Sequence, residues 1–546
     1  MVARMFNRRG ELANQFGRHP HMGFWSYFEE QYSPGHWGFV PFFILGLFGV
    51  AFAIKRRLKI GFPFFVLLLL TTAGLVLYMN FADGTQYNFQ TGDAYMEVRN
   101  RDYFFTPGFI FFGIAMGLGI SGIMTIAREW LSRTNPAMAK TAVIAASVLV
   151  LLPAITLARN WHPNDRSEDY TPYNYATNIL DTCPPNAILF TSGDNDTFPL
   201  WAIQEAYDYR KDVVVVNLSL LNTDWYVAQM KNRYGVPISL TEEQILWYPH
   251  ELRPGVQAPR PRKQFHDRPR KRMTYLWPSL WNNQQVKVQD MMVDEIVIEN
   301  AKQGWKYPIF FSSQPYAESP LNLRDKARAY GMLYELHPQP VTPKVAVDTG
   351  YHLYRNVYRF DGLEDADVFR DENATGVFLG MGLGFIRIFD ELTRNDHVDS
   401  AMTLGNYMLD VFPEYWQTYV VMAEQYDKQG DSARALELFE TLHDTLASFL
   451  QTNPENYFYM GDLGLAKVEL GQRKGESEMV EEGVDMLWDA FHINPNSSYG
   501  FRKLISVLAQ QGQIEEMRRA ARLHGKYKVN LQDAYVQRLL GMGGGG

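Results

Sequence analysis

A single cysteine, Cys183, stands in a chain of 546 residues. No intrachain disulfide can form, so any part that faces an oxidising compartment must be held by packing alone. Cys183 lies in Asp-Thr-Cys-Pro-Pro at an apparent helix end, where a packing role is favoured over a thiol nucleophile. A strong excess of one charge is also missing. The 52 basic and 60 acidic residues leave a net charge of -8, which is modest for this length and provides no electrostatic footprint for nucleic acid. Residues 1–37 contain no apolar stretch of the signal-peptide kind, although they carry Arg4, Arg8, Arg9 and Arg18. The chain is too long for one ordinary core, so two or three domains are expected. Its mean hydropathy of -0.24 averages two unlike parts, because the apolar residues are bunched near the N-terminus.

Four uncharged apolar runs occur there, at residues 38–54, 60–79, 107–126 and 141–158. Their lengths bracket the roughly 20 residues that cross about 30 Å of hydrocarbon as a helix. They read as about four transmembrane helices; helices buried in a soluble core are the alternative. Lys and Arg in short loops stay on the cytoplasmic side. The first link carries Lys55, Arg56, Arg57 and Lys59, and the last carries Arg128, Arg133 and Lys140, so both are expected to be cytoplasmic. The middle loop holds Asp83, Asp93, Glu97 and Asp102 against Arg99 and Arg101, which suits the outer side. The soluble remainder then lies outside too, together with an amphipathic, aromatic segment at 1–37. Delivery of that segment calls for an upstream membrane region, in a longer parent chain or a separate subunit. The alternative keeps residues 1–37 cytoplasmic and removes one span.

From 160 to 345 the pattern is that of a soluble α/β domain. An apolar run from Ala187 to Ser192, a polar loop from Gly193 to Thr197, a helical stretch and a second apolar run from Val213 to Asn217 make a strand, helix, strand unit. A further strand is expected at 308–312. Ligands bind at the carboxyl ends of such strands, which singles out Asp194, Asn195 and Asp196 after the first strand and Asn222, Asp224 and Trp225 after the second. Two carboxylates and an amide could hold sugar hydroxyls or a hard cation, and Trp225 or Tyr226 could stack on a sugar. Against this stands the plainer reading that Asp196 or Thr197 caps the helix and the aromatics are core. A basic stretch from Arg253 to Arg272 reads as a solvated loop, with docking to anionic lipid headgroups as the functional option. After a linker at 346–380, residues 381–542 read as an α-helical solenoid of tetratricopeptide type, with a period near 34. Ala401, Pro413, Tyr419, Met422, Ala423, Tyr426, Gly430, Ala435 and Phe439 fall in one register. Leu463, Gly464, Gly471 and Ala490 make a later repeat with about seven extra residues, and Phe501, Leu504, Gly512 and Ala521 the last. Such arrays present a concave face to proteins or peptides; a plain helical bundle is the alternative.

Tyr95-Met96-Glu97-Val98-Arg99-Asn100-Arg101-Asp102-Tyr103, ahead of a glycine-rich membrane helix, resembles the Glu-Pro-Arg-Glu-Arg-Asp-Tyr motif of a known family. The stretches Ala187 to Trp201 and Val215 to Trp225 are closer still. The family is that of large multi-pass bacterial membrane proteins of formerly unknown function, common in the Bacteroidetes. They are similar to protein O-mannosyltransferases, which are C-type glycosyltransferases. The likeness runs from about residue 20 into the repeats. It implies a bacterial cytoplasmic-membrane protein with a periplasmic soluble part, a polyprenyl-phosphate sugar as donor, and protein acceptors. Members begin with a membrane helix and an external loop bearing the catalytic acid, and nothing before Gly38 matches these, so this chain resembles the C-terminal half. On that reading Arg99 and Arg101 contact the lipid phosphate, with interfacial anchoring or pairing to Glu97 or Asp102 as the alternative. Asp93, Glu97 and Asp102 are weak candidates for the base, which is expected on an N-terminal membrane half or partner subunit. No metal or further cofactor is called for. The rival reading is a non-enzymatic, membrane-anchored scaffold whose soluble part holds partner proteins.

Overall fold

In the computed structural model, the residues described are 24–32, 38–79, 85–87, 94–96, 102–134, 136–247, 279–281, 284–286, 288–315, 319, 321–495 and 497–527. The chain forms two compact units, Met1–Asp165 with Glu455–Gly546, and Arg166–Pro454.

The first unit opens with α1 (Phe24–Tyr32), α2 (Val40–Arg56), α3 (Leu58–Leu69), a π-helical turn (Leu70–Gly74) and α4 (Leu75–Met79). A short antiparallel pair, β1 (Thr85–Tyr87) and β2 (Ala94–Met96), precedes α5 (Thr106–Thr134), α6 (Pro136–Ser147) and α7 (Leu152–Asn164). Among the described residues three helical stretches are long and apolar enough to cross a membrane: Leu58–Leu77, Tyr103–Arg133 and Met138–Asn164. The other expected span is α2, which has only 17 residues and rises about 25 Å at 1.5 Å per residue. It packs along α5. A Cβ on Gly46 would meet the Phe112 ring, one on Gly49 the Ala115 carbonyl and one on Gly122 the Phe52 ring, while Arg56 pairs with Glu129. The register rises together on both helices, so α2 and α5 run parallel. Gly61 of α3 abuts the backbone of Ala53 and Ile54, and Gly108 abuts that of Thr71, which makes α3 antiparallel to both. The basic link 55–59 and Arg128 therefore share one end of these helices. At the opposite end Phe24, Tyr27 and Phe28 of α1 bury themselves with Phe39, Phe105, Phe109 and Phe112.

The second unit contains α8 (Thr171–Thr182), β3 (Ile188–Thr191), α9 (Asp194–Tyr207), β4 (Val214–Asn217), α10 (Asp224–Asn232) and α11 (Glu242–Trp247). After a small hairpin of β5 (Ser279–Trp281) and β6 (Gln284–Val286) come α12 (Val288–Lys302), β7 (Ile309–Phe311), α13 (Leu323–Lys326), β8 (Ala327–Tyr330) and β9 (Leu333–Leu336). The main sheet has the order β4-β3-β7-β9-β8. β4, β3 and β7 are parallel, with Ile188 opposite both Val214 and Ile309. β9 runs antiparallel to β7 and β8, so the sheet is mixed. Ile188, Phe190, Val216, Ile309 and Phe311 pack with Tyr226, Val227 and Met230 of α10 and Met291, Met292 and Ile296 of α12. Burial on both faces accounts for the uninterrupted apolar character of β3 and β7.

The stretch read as a linker, 346–380, is structured. It holds α14 (Val347–His352), a π-helical turn (Leu353–Val357) and the start of α15 (Glu372–Arg394), and its Tyr354, Tyr358, Phe360 and Leu363 are buried. α16 (Val398–Val411), α17 (Trp416–Lys428) and α18 (Ser432–Thr452) complete this unit. The register positions Ala401, Tyr419, Met422, Ala423, Ala435 and Phe439 are all buried, and Gly430 takes a left-handed φ of 82° at the turn between α17 and α18. The C-terminal helices of the first unit are α19 (Tyr457–Lys474), α20 (Ser477–Ile493), α21 (Ser498–Gln510) and α22 (Ile514–Tyr527). Helix pairs begin at Glu372, Trp416, Tyr457 and Ser498; the first two intervals, 44 and 41 residues, exceed the expected 34, and the third, 41, matches 34 with the about seven extra residues expected there. The added length lies in the 23 residues of α15, the 21 of α18 and the 18 of α19.

Candidate functional site

The carboxyl ends of β4, β3 and β7 form one edge, and two polar loops leave it. Thr197, in the first turn of α9, wires them together. Its hydroxyl donates to the Gly193 carbonyl at 2.6 Å and accepts from Asn217 Nδ2 at 2.9 Å. With that proton committed, the 2.6 Å contact between Thr191 Oγ1 and Thr197 Oγ1 must be donated by Thr191. Asn217 Oδ1 in turn accepts from the Leu220 amide at 2.9 Å. All three side chains are buried, so the wiring is insulated from water.

Around it lies a rim of hydroxyls. Ser192 Oγ and Ser313 Oγ are 2.8 Å apart, and Ser219 Oγ donates to the Ser192 carbonyl at 3.0 Å. All three serines are exposed, and each follows a different strand of the parallel set. Asp194 and Asn195 are exposed at the start of α9, Phe198 is 50% exposed one turn further on, and Trp225 at the start of α10 is 52% exposed. Hydroxyls, a carboxylate and an amide beside exposed aromatic rings form a surface that can hydrogen-bond and stack.

The six residues singled out from sequence have different duties. Asp196 accepts from the amides of Ser192 and Gly193, both at 2.7 Å, and from Ser312 Oγ at 2.7 Å. Its carboxylate closes the helix start, where negative charge is favourable. Asn195 Nδ2 lies 3.5 Å from Asn373 Oδ1 at the start of α15. Asn222 is buried and bound to Gln289, accepting from its amide at 3.0 Å and donating to its side chain at 2.8 Å. Asp224 is buried and accepts from the Trp225 amide at 2.9 Å. Asp194, Asn195 and Trp225 are thus the three that combine exposure with a place on the rim. Tyr226 is buried, its hydroxyl accepting from the Asn217 amide at 3.0 Å, so it has no free face for stacking. Asp93, Glu97, Arg99 and Arg101 lie outside the described residues, as does the basic stretch 253–272; Asp102 opens a short 3-10 helix, Asp102–Phe105.

Sequence inspection missed Ser192, Ser219, Ser312 and Ser313. The only available signal was their position just beyond three apolar runs. It also missed the support behind the site. Asn174 and Asn178 of α8 donate to the carbonyls of Asp361 and Arg359, each at 2.8 Å, and Thr182 meets the Tyr358 hydroxyl at 2.7 Å. Burial, reinforced by the neighbouring Asp196 carboxylate, pushes the Tyr175 phenol up. Burial likewise pushes the Cys183 thiol well up, away from the thiolate a nucleophile needs. Among the described residues no three His, Cys, Asp or Glu side chains converge as metal ligands.

Residues 172–254 match the family described as TMEM260-associated domain 2. That stretch includes β3, α9, β4 and α10, and so the serines and aromatics of the first two loops. Among curated proteins, the Dictyostelium discoideum protein named Protein O-mannosyl-transferase tmem260 is 25% identical over 130 residues, 22% of this chain and 16% of that protein. The chain thus matches less than a fifth of that relative's length. Both similarities relate it to O-mannosyltransferase-like proteins.

Proposed function

We propose that the chain works as part of a membrane-bound protein O-glycosyltransferase that uses a polyprenyl-phosphate sugar, with the strand-end rim receiving the acceptor protein. The supporting observation is that the segment similar to TMEM260-associated domain 2 falls on this rim, in a chain whose described residues include three membrane-length apolar helices. In the reaction the acceptor hydroxyl gives its proton to a carboxylate as its oxygen bonds the anomeric carbon. The bond from that carbon to phosphate breaks, and the phosphate leaves with the electron pair. Arg99 and Arg101 contact the phosphate, whose geometry suits guanidinium groups. The site lies at the outer face of a bacterial cytoplasmic membrane. This orientation is supported by the basic link 55–59 and Arg128 sharing one end of the helices while the aromatic cluster holds the other. The residues of unit 1 after Glu455 and the whole of unit 2 are then periplasmic.

The test uses the chain in nanodiscs with radiolabelled polyprenyl-phosphate mannose. The double change Arg99→Gln and Arg101→Gln is expected to weaken donor binding by about tenfold or more, since each charged contact contributes on the order of 1.5–3 kcal/mol. Trp225→Ala should leave donor binding unchanged and reduce capture and labelling of an unglycosylated acceptor protein. Equal donor binding by the arginine variant would remove that role, and an unchanged acceptor yield with Trp225→Ala would remove the rim.

A further inference from the structure

A groove of about 590 Å³ runs between α20 and α22. Its floor includes Val480, Val484 and the half-buried Trp488; its sides carry the carboxylates of Glu481, Asp485 and Glu516. Among the described residues one cation lines it, and that cation is engaged. Arg519 donates to Glu516 at 3.1 Å and lies 4.9 Å from the centre of the Trp488 ring. A second concavity of about 400 Å³ shares Ser477 with the first and adds Glu476, Glu478 and Glu482. Only the larger hollow sets carboxylates beside an apolar floor; in the smaller, Glu482 accepts from Lys467 Nζ at 2.6 Å.

We infer that this groove is a docking site for an extended protein segment carrying Lys or Arg side chains. Those side chains have two chemically unlike parts, an aliphatic stem that packs on apolar surface and a charged head that stays among solvated anions. The groove presents both surfaces at once, with valine and tryptophan beneath and carboxylates beside them. An acidic or purely apolar segment would satisfy only half of it. A small divalent cation would ignore the floor, and no three of these carboxylates converge on a point. This is recognition by charge complementarity over a short groove, so the affinity is modest and sensitive to salt. The inference does not rest on the glycosyl-transfer reading, because the groove lies in Glu455–Gly546 and the sheet rim in Arg166–Pro454.

The experiment is fluorescence polarisation with the full chain in nanodiscs and a labelled ten-residue peptide alternating Lys and Ser. A peptide alternating Glu and Ser is the control. The Lys peptide should bind and the Glu peptide should not, with binding weakened several-fold as salt rises from about 0.05 to 0.3 M. Exchanging Glu481→Lys and Asp485→Lys together, both exposed positions, should weaken the Lys peptide about tenfold or more while circular dichroism stays unchanged. Equal affinity for the two peptides, or an unaltered affinity in the double variant, would overturn the proposal. So would spermine displacing the peptide with equal affinity per charge, which would identify the groove as a sink for any polycation.

Discussion

The α2 and α5 pair in the membrane part and the α19 and α20 pair in the C-terminal part approach each other by the same device. A Cβ on Gly49 would fall 1.8 Å from the Ala115 carbonyl oxygen, and one on Gly464 would fall 2.8 Å from that of Gly483. Backbone meets backbone in both places. What differs is the outward surface. Ile44, Leu47, Ile110 and Ile114 of the first pair are exposed, whereas α20 turns Glu478, Glu481, Glu482, Asp485 and Asp489 outward. Ionisable groups are also buried outside the membrane-length helices: Arg370 and Glu414, in loops of the second unit, are 3.8 Å apart, and Lys503 of α21 pairs with Asp462 of α19 beneath the Tyr499 ring. Close packing at glycine therefore says nothing about the surrounding medium. The outer face, and the tolerance of charge inside, carry that information.

Titrating a buried carboxyl should have the largest effect. Glu414 has no exposed surface, and burial raises its carboxyl to about 8, with Arg370 opposing the rise. Because the folded value lies above the unfolded one, the group's stabilising contribution is complete below about pH 4.5 and is lost as pH rises through about 8. The thermal midpoint of Arg166–Pro454 in the full chain should fall across that window, by an amount reflecting several kcal/mol. Glu414→Gln should flatten the pH profile. A wild-type profile with no slope between pH 5 and 8 would show the carboxyl to be ionised throughout.

The glycine contacts come next. Gly49→Leu should separate α2 from α5 and cost about 3 kcal/mol or more, seen as loss of a single detergent-stable species on size exclusion. Gly464→Ala should cost less, because the approach is 1.0 Å looser and alanine returns about 1 kcal/mol of helix propensity. If both substitutions cost the same, the difference in approach between the two helix pairs would have no energetic meaning.

The parts of the fold legible in the sequence were those written in local pattern. β3 and β4 stood out because they are buried on both faces and so form unbroken apolar runs. The capping role of Asp196 followed from an acid just inside a helix start. β8 and β9 did not stand out, since Arg328 and Glu335 pair across them at 2.6 Å and interrupt any apolar run. Their turn depends on Gly331, held at a φ of 57° against the Tyr358 hydroxyl. The hydroxyl rim was invisible for a related reason: Ser192 and Ser313 are 121 positions apart and meet only because β7 joins β3. The helical period was legible only in part: about seven extra residues were anticipated in the repeat that starts at Tyr457, but not the added length of the two before it, where α15 and α18 have 23 and 21 residues. Spacing between small and aromatic residues reports the contact surface, not the length of the helix beyond it.

The smallest expected effect, that of Asp489→Leu, belongs to the sharpest comparison, because it changes the outer faces alone. Ile114 on α5 and Asp489 on α20 both point away from their helix partners. Ile114→Lys places an ammonium near the middle of Tyr103–Arg133, where insertion scales assign a cost of about 3 kcal/mol. Asp489→Leu changes a solvated surface and should move stability by no more than about 0.5 kcal/mol. Unfolding of both variants in the same bicelles, followed by tryptophan fluorescence, measures the pair side by side. If Ile114→Lys proved as mild as Asp489→Leu, α5 would face water rather than lipid, and the apolar exposure of Ile110 and Ile114 would need a protein partner to cover it.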